Sequence, residues 1–300
     1  MTAEVERGPT TSPPAQVLPA RDHRTKQRRP VRAVLSQVAL TVVLIVFLMP
    51  FVWMIATALK PQNEVFSTPP SLIGSQVLWS NFSEAWNYLP FGRFILNTLL
   101  VSAVGTVVVC VTSILAGYAF ARLSFVGRDK IFLVYLGALM VPQDVIVVPM
   151  FILMQKLGWV DSYAGLILPW AFTAFGTFLL RQFFLSVPRE LEEAAVIDGA
   201  SKLRTLLQVI LPIARPAVAV LAVFTFIGYW NSFLWPLIVV NSRDMSTIPL
   251  GLNLFLSQNG DRWDLLMAAS TISILPTVIL VVLLQRHLVR GIAISGFGGR

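Results

Sequence analysis

Six separate stretches of this chain stay apolar for about the length of a bilayer crossing, and this limits what the chain can fold into more than any other feature. They cover residues 34–59, 94–121, 131–155, 163–180, 216–240 and 265–284. A hydrocarbon layer about 30 Å thick takes roughly 20 helical residues. A backbone amide left unpaired in lipid costs several kcal/mol, so each stretch is expected to be α-helical. The expected fold class is an all-α membrane protein of six transmembrane helices. Composition supports it: 56% of the 300 residues are hydrophobic and 13% charged, with mean hydropathy +0.73, outside the range of soluble chains.

The cationic side chains orient the spans. With the N-terminus inside, 18 of the 23 Lys and Arg residues fall on the cytoplasmic side and 5 outside. That bias predicts cytoplasmic N- and C-termini. The net charge of +8 is spread between apolar runs and forms no single patch, so no nucleic acid partner is expected. The basic region, apolar run and Ala56-Thr57-Ala58 together resemble a secretion signal. The run at 34–59 is nevertheless much longer than the roughly 7–15 apolar residues of such signals, so it is taken as the first span. Residues 1–33 hold Pro9, Pro13, Pro14, Pro19 and Pro30 without apolar periodicity. They are expected to be a disordered basic tail in the cytoplasm, with Arg28, Arg29 and Arg32 against anionic lipid. Residues 34–300 are expected to be one membrane domain.

Chemistry-bearing clusters are missing from the sequence. No GxxxxGK[ST] loop occurs. His23 and His287 stand apart in the tail and at the end of the last span. No residues have metal-ligand spacing and no Ser-His pair is evident, so neither catalytic nor metal residues are expected and the chain is not expected to be an enzyme. Cys110 is the single cysteine, which excludes an intrachain disulfide. In the outer segment 60–93, Trp79, Phe82, Trp86 and Tyr88 suit the membrane interface.

Between the fourth and fifth runs lies a charged interruption, "EEAAVIDGASKLRTLLQVILP" at 192–212. Ser186 is expected to cap a helix, Pro188 to suit its first turn, and Glu190, Glu192 and Glu193 to stabilise its positive end. Gly199, after Asp198, is the expected stop. A second helix is expected from near Ser201, yielding or kinking at Pro212. The result would be two short helices at an angle in the cytoplasm. A helix lying on anionic lipid favours Lys and Arg on its polar face. The first helix here is acidic, which favours docking on protein.

Glu193-Ala194-Ala195, three residues, Gly199, nine residues and Val209-x-Leu211-Pro212 resemble the EAA loop of bacterial ABC-import permeases, with valine where isoleucine is commonest. "MVPQDVIVVPMFILMQKLGWVDSYAGLILP" at 140–169, "LRQFFLSVPRELEEAAVIDGAS" at 180–201, "GYWNSFLWPLIVV" at 228–240 and the closing "LQRHLVRGIAISGFGG" are similar to the maltose-type carbohydrate-import permeases. At the C-terminus this chain has Gly298-Gly299-Arg300, with glycine where that family has lysine. The resemblance implies one half of a pore in the bacterial inner membrane. It also implies a second homologous permease subunit, two ATP-binding subunits that hold ATP and Mg, and an extracytoplasmic solute-binding protein. No cofactor would be bound by this chain. The loop would couple to the ATPase subunits through Glu190, Glu193, Ala194, Ala195, Asp198, Gly199, Leu211 and Pro212. Polar or capping contacts would come from Glu193 and Asp198, and close approach and the turn from Ala194, Ala195 and Gly199.

For the substrate pathway, Pro142 and Pro149 each remove a backbone donor from the third run, beside Gln143 and Asp144. Asp144 is the carboxylate deepest in any expected span, and such a charge faces protein or water. Trp230, Asn231 and Trp235 offer aromatic faces and an amide suited to sugars. Pathway candidates are therefore Gln143, Asp144, Trp230, Asn231 and Trp235. Each also has a plainer reading, as kink or helix-end packing. A secondary transporter, a channel or a membrane anchor recruiting a soluble partner would also accommodate six spans. The first two ordinarily need coupling carboxylates or paired charges, and Asp144 stands alone.

Overall fold

A computed structural model describes residues 30–256 and 261–296, and among these every regular element is helical. The expected tail, with His23, and the closing Gly298-Gly299-Arg300 lie outside the described residues, apart from the last few positions before the first span.

The first helix, α1, runs Pro30–Ala58. Up to Pro50 it is apolar all round, with Leu35, Leu40, Ile45 and Phe47 all exposed. A helix without a polar stripe is suited to surroundings of hydrocarbon.

From Phe51 onward the chain builds a helical bundle on α3, Phe91–Arg122, whose 32 residues span roughly 48 Å. A short helix, α2 (Ser80–Tyr88), precedes it. The Asn81 amide donates to the carbonyls of Ala58 and Lys60, both at 2.9 Å, and so satisfies carbonyls at the end of α1 that have no partner within the helix. Three apolar clusters lie along α3. One gathers Phe91 and Phe94 with Trp230, Phe255 and Leu265. The second holds Val101 and Val109 with Leu166, Tyr229 and Trp235. The third packs Cys110 and Tyr118 with Leu180, Phe184, Ile210 and Leu221.

The expected spans are corrected in three places. The third, 131–155, is not one kinked helix. It divides into α4 (Arg128–Gly137), a 3-10 turn Ala138–Met140, and α5 (Gln143–Leu157), with a bend of 102°. Val141 before the proline is extended, φ −85° and ψ 118°, as the ring of the next residue requires. The fourth run divides into α6 (Tyr163–Ile167), a 3-10 turn Leu168–Trp170, and α7 (Ala174–Ser186), bent by 47°. Thr173 is extended at the break, and its hydroxyl accepts from the Gly176 amide.

The fifth span begins earlier than residue 216. A short α8 (Glu190–Ile197) is followed by α9 (Lys202–Thr205), a π-turn Leu206–Ile210, and α10 (Leu211–Trp230). The last three form one apolar run of 29 residues. The Leu211 amide donates to the carbonyl five residues back, at Leu206, and Pro212 then occupies the first turn of α10, where its missing N–H costs least. The second helix of the charged loop is therefore the N-terminal end of a long helix, with no break at Pro212.

After α10 come α11 (Leu234–Val239), α12 (Ile248–Asn253) and α13 (Trp263–Gly296). Among the described residues, three helices are long and apolar enough to cross a bilayer alone, and the two bent pairs meet that test jointly.

Candidate functional site

Two features stand out: a charged elbow at α8–α9 and a cleft beside the α4–α5 bend. Ser186 does not cap α8. Its hydroxyl turns back to the Phe183 carbonyl at 2.7 Å, and α8 starts at Glu190 behind Arg189, with no side-chain cap. Three acids in the first turn supply what stabilises that end. At the other end Gly199 takes φ +80°. Its amide donates to Val196, and the Ala200 amide reaches Ala195 at 2.9 Å, a paired closure that glycine makes without strain. Ser201 then caps α9 by accepting from the Arg204 amide.

The elbow points its chemistry outward. Glu190, Glu193, Ala194, Asp198, Gly199 and Pro212 are exposed, while Ala195 and Leu211 are half-buried. Ile197 is 85% exposed, with Val196 and Leu203 also exposed nearby. Among the described residues, neither the Glu193 nor the Asp198 carboxylate has a hydrogen-bond partner. Glu192 turns inward instead, its Oε1 2.8 Å from Arg122 Nε at the end of α3. In the sequence Glu192 signals only a helix-end charge and Arg122 only a loop cation, and nothing local to either residue signals the other.

The cleft has a volume of about 600 Å³. Gln143 and Asp144, in the first turn of α5, line it together with Trp170, Thr173, Thr225, Tyr229, Ser232 and Trp235. The break at Pro142 places Asp144 at a helix N-terminus, where its charge is favoured. Of the five pathway candidates the structure brings together Gln143, Asp144 and Trp235. Trp230 is instead buried against Phe226, rings 5.6 Å apart, in the cluster with Phe91 and Phe94. Asn231 is exposed and donates to the Ile227 carbonyl, closing α10. Neither lines the cleft.

Trp170 and Tyr229 were missed. Trp170 meets Trp235 edge-on at 5.8 Å, and Tyr229 donates to the Ile167 carbonyl at 2.9 Å. Tyr229 lies over Gly105, where a Cβ would come within 2.6 Å of its ring. The adjacency of Tyr229 to Trp230 in "GYWN" is the one local signal that could have drawn attention to it.

In the loop before α6, Asp161 accepts from the Asn241 amide and from the Ser242 amide and hydroxyl, each at 3.0 Å. Burial pushes its carboxyl up, but the bonds from Ser242 and Asn241 outweigh that and hold it below the usual carboxylate value.

The profile of the family described as "Binding-protein-dependent transport system inner membrane component" matches residues 111–294. The chain is 38% identical over 272 residues to the sn-glycerol-3-phosphate transport system permease protein UgpE of Pectobacterium atrosepticum, covering 87% of this chain and 96% of that one. It is 32% identical over 258 residues to the arabinooligosaccharides transport system permease protein AraQ of Bacillus subtilis, covering 85% and 92%. Among solved structures, a bacterial ABC transporter involved in import of the acidic polysaccharide alginate superposes with a TM-score of 0.75. It is 22% identical and covers 86% of this chain and 96% of that one. At this identity the likeness concerns the fold.

Proposed function

The chain belongs to the binding-protein-dependent transport system inner membrane component family, and from that premise we propose that it passes carbohydrates or related polyols inward as part of an ATP-driven importer. It is a transport permease of the inner membrane and not an enzyme. In the proposed assembly it crosses the membrane six times with both termini in the cytoplasm. A second homologous permease completes the pathway, and an extracytoplasmic binding protein delivers the solute. Two further subunits bind ATP and Mg and receive α8.

One observation carries this reading: Ile197 stands out from α8 beside two carboxylates, Glu193 and Asp198, that have no partner among the described residues. An exposed apolar knob with a charged rim is a protein-docking surface. The solved alginate transporter in complex with a pentasaccharide-bound periplasmic protein, TM-score 0.56, supports the delivery step by analogy of fold.

The cleft favours an uncharged cargo. Asp144 is the single charged side chain among its described lining residues, set among aromatic rings and hydroxyls. A phosphate such as the one named for the Pectobacterium relative would meet a like charge here and would need cations from elsewhere in the assembly.

Affinity purification of the tagged chain in mild detergent tests the reading. It expects an ATP-hydrolysing pair and a second permease in the eluate. A chain recovered alone from membranes that still take up solute would overturn it.

A further inference from the structure

At the cytoplasmic end of the bundle the Arg122 side chain joins three helices. Its Nη2 donates to the carbonyls of Phe184 and Val187, which close α7. Its Nε stands 2.8 Å from Glu192 Oε1 on α8, the two side chains 4% and 14% exposed. A pair exposed to water would be worth little, whereas a desolvated pair is costly to break because the remaining charge is left buried. Among the described residues no other side chain of α8 makes a hydrogen bond or ion pair with the bundle.

The joint has spare capacity. The Tyr118 hydroxyl, one turn back on α3, is buried beside the same carboxylate without a hydrogen-bond partner. The Arg122 Nε to Glu192 Oε1 contact is close but lies off hydrogen-bond alignment. A small rotation of α8 would therefore let Glu192 exchange an arginine contact for a tyrosine one without leaving the buried site. Beyond the joint, α3 and α7 are in near-backbone contact, with Gly117 against Leu180 and Arg181. Both helices reach the cleft, at Val109 on α3 and at Thr173 and Ala174 around the start of α7.

We propose that Arg122, Glu192 and Tyr118 form the joint through which displacement of α8 moves α3 and α7 as one piece, so that Arg122 and Glu192 are positioning residues for coupling. This rests on the importer reading above.

The test uses the assembled transporter and needs no knowledge of the cargo. Cys110→Ala with Ser232→Cys places one thiol in the cleft, and its rate of reaction with a water-soluble maleimide is measured with and without Mg-ATP. In the parent the rate is expected to change about tenfold with ATP, within the usual range of coupling between distant sites. In Glu192→Gln it is expected to change less than about twofold, while ATP hydrolysis by the complex is retained. A Glu192→Gln complex that responds like the parent overturns the proposal. If Glu192→Gln does not assemble, Arg122→Lys decides, because it keeps the charge but loses the planar fork. A weakened response in Arg122→Lys then supports the joint, and a full response overturns it. A parent that neither responds to ATP nor retains an ATPase partner contradicts the importer reading itself, a result distinct from loss in the variants alone.

Discussion

The indole Nε1 of Trp235 donates to the carbonyl oxygen of Gly165 at 2.9 Å, tying α11 to α6 behind the cleft. The ring is 4% exposed and edges against Trp170. Its polar atom is therefore committed to the scaffold, and only the ring contributes to the cleft wall. Trp235→Phe keeps most of the ring and strands the Gly165 carbonyl, which costs about 1–3 kcal/mol. A thermal melt of the purified protein is expected to show a clear fall in Tm. Trp235→Ala is expected to lower it further, by the cavity it leaves as well.

Gly199 separates strain from space. A Cβ there meets nothing within 4 Å, but φ is +80°, so substitutions are opposed by backbone conformation alone. Gly199→Ala is expected to cost roughly 1 kcal/mol and Gly199→Asn less, since asparagine tolerates this region. Gly199→Asp is expected to insert and accumulate normally while solute uptake falls, because it alters the turn of the proposed docking elbow. Normal uptake at normal abundance would remove the turn from the coupling surface.

The cleft divides two residues that the sequence placed together. Asp144→Asn, which removes the one charge on the described cleft wall, is expected to change KM for solute. Asn231→Ala removes only a helix-closing bond to Ile227, and KM is expected to stay within about twofold of the parent value, under 0.5 kcal/mol. Parallel transport assays on the two variants check the contrast. A large KM change in Asn231→Ala with none in Asp144→Asn would contradict the assignment.

Asp161 sets a limit at low pH. Its carboxyl is held below the ordinary value in the folded chain, so the unfolded chain binds the proton more readily. Its stabilising contribution is present above about pH 4, the unfolded value, and is lost as pH falls through the folded one. Asp161→Asn keeps an acceptor and tolerates φ +56°. It is expected to melt lower than the parent at pH 7, with the gap narrowing toward pH 3. A constant gap across that range would show that the charge is not what matters.

The helical class and the turn between the two short loop helices could be read from local sequence. Each apolar run must pair its own backbone amides in lipid. The end of α8 follows from one glycine and the start of α9 from one serine, through bonds spanning a few residues. The bends were only half legible. Pro142 signals a disruption, but its neighbours do not say whether the helix kinks or divides by 102°. Likewise Pro212 reads as a break until the π-turn before it absorbs the misfit.

Tertiary structure alone decided which side chains meet. Trp230 and Trp235 look alike in the sequence, yet one is buried in the cluster with Phe91 and Phe94 and the other lines the cleft, because the turn at Asn231 redirects the chain between them. Arg122 and Glu192 lie on helices far apart in the chain, and their contact depends on how α3, α7 and α8 pack. Periodicity records which environment each segment prefers, and it carries no term for the direction in which two distant segments approach.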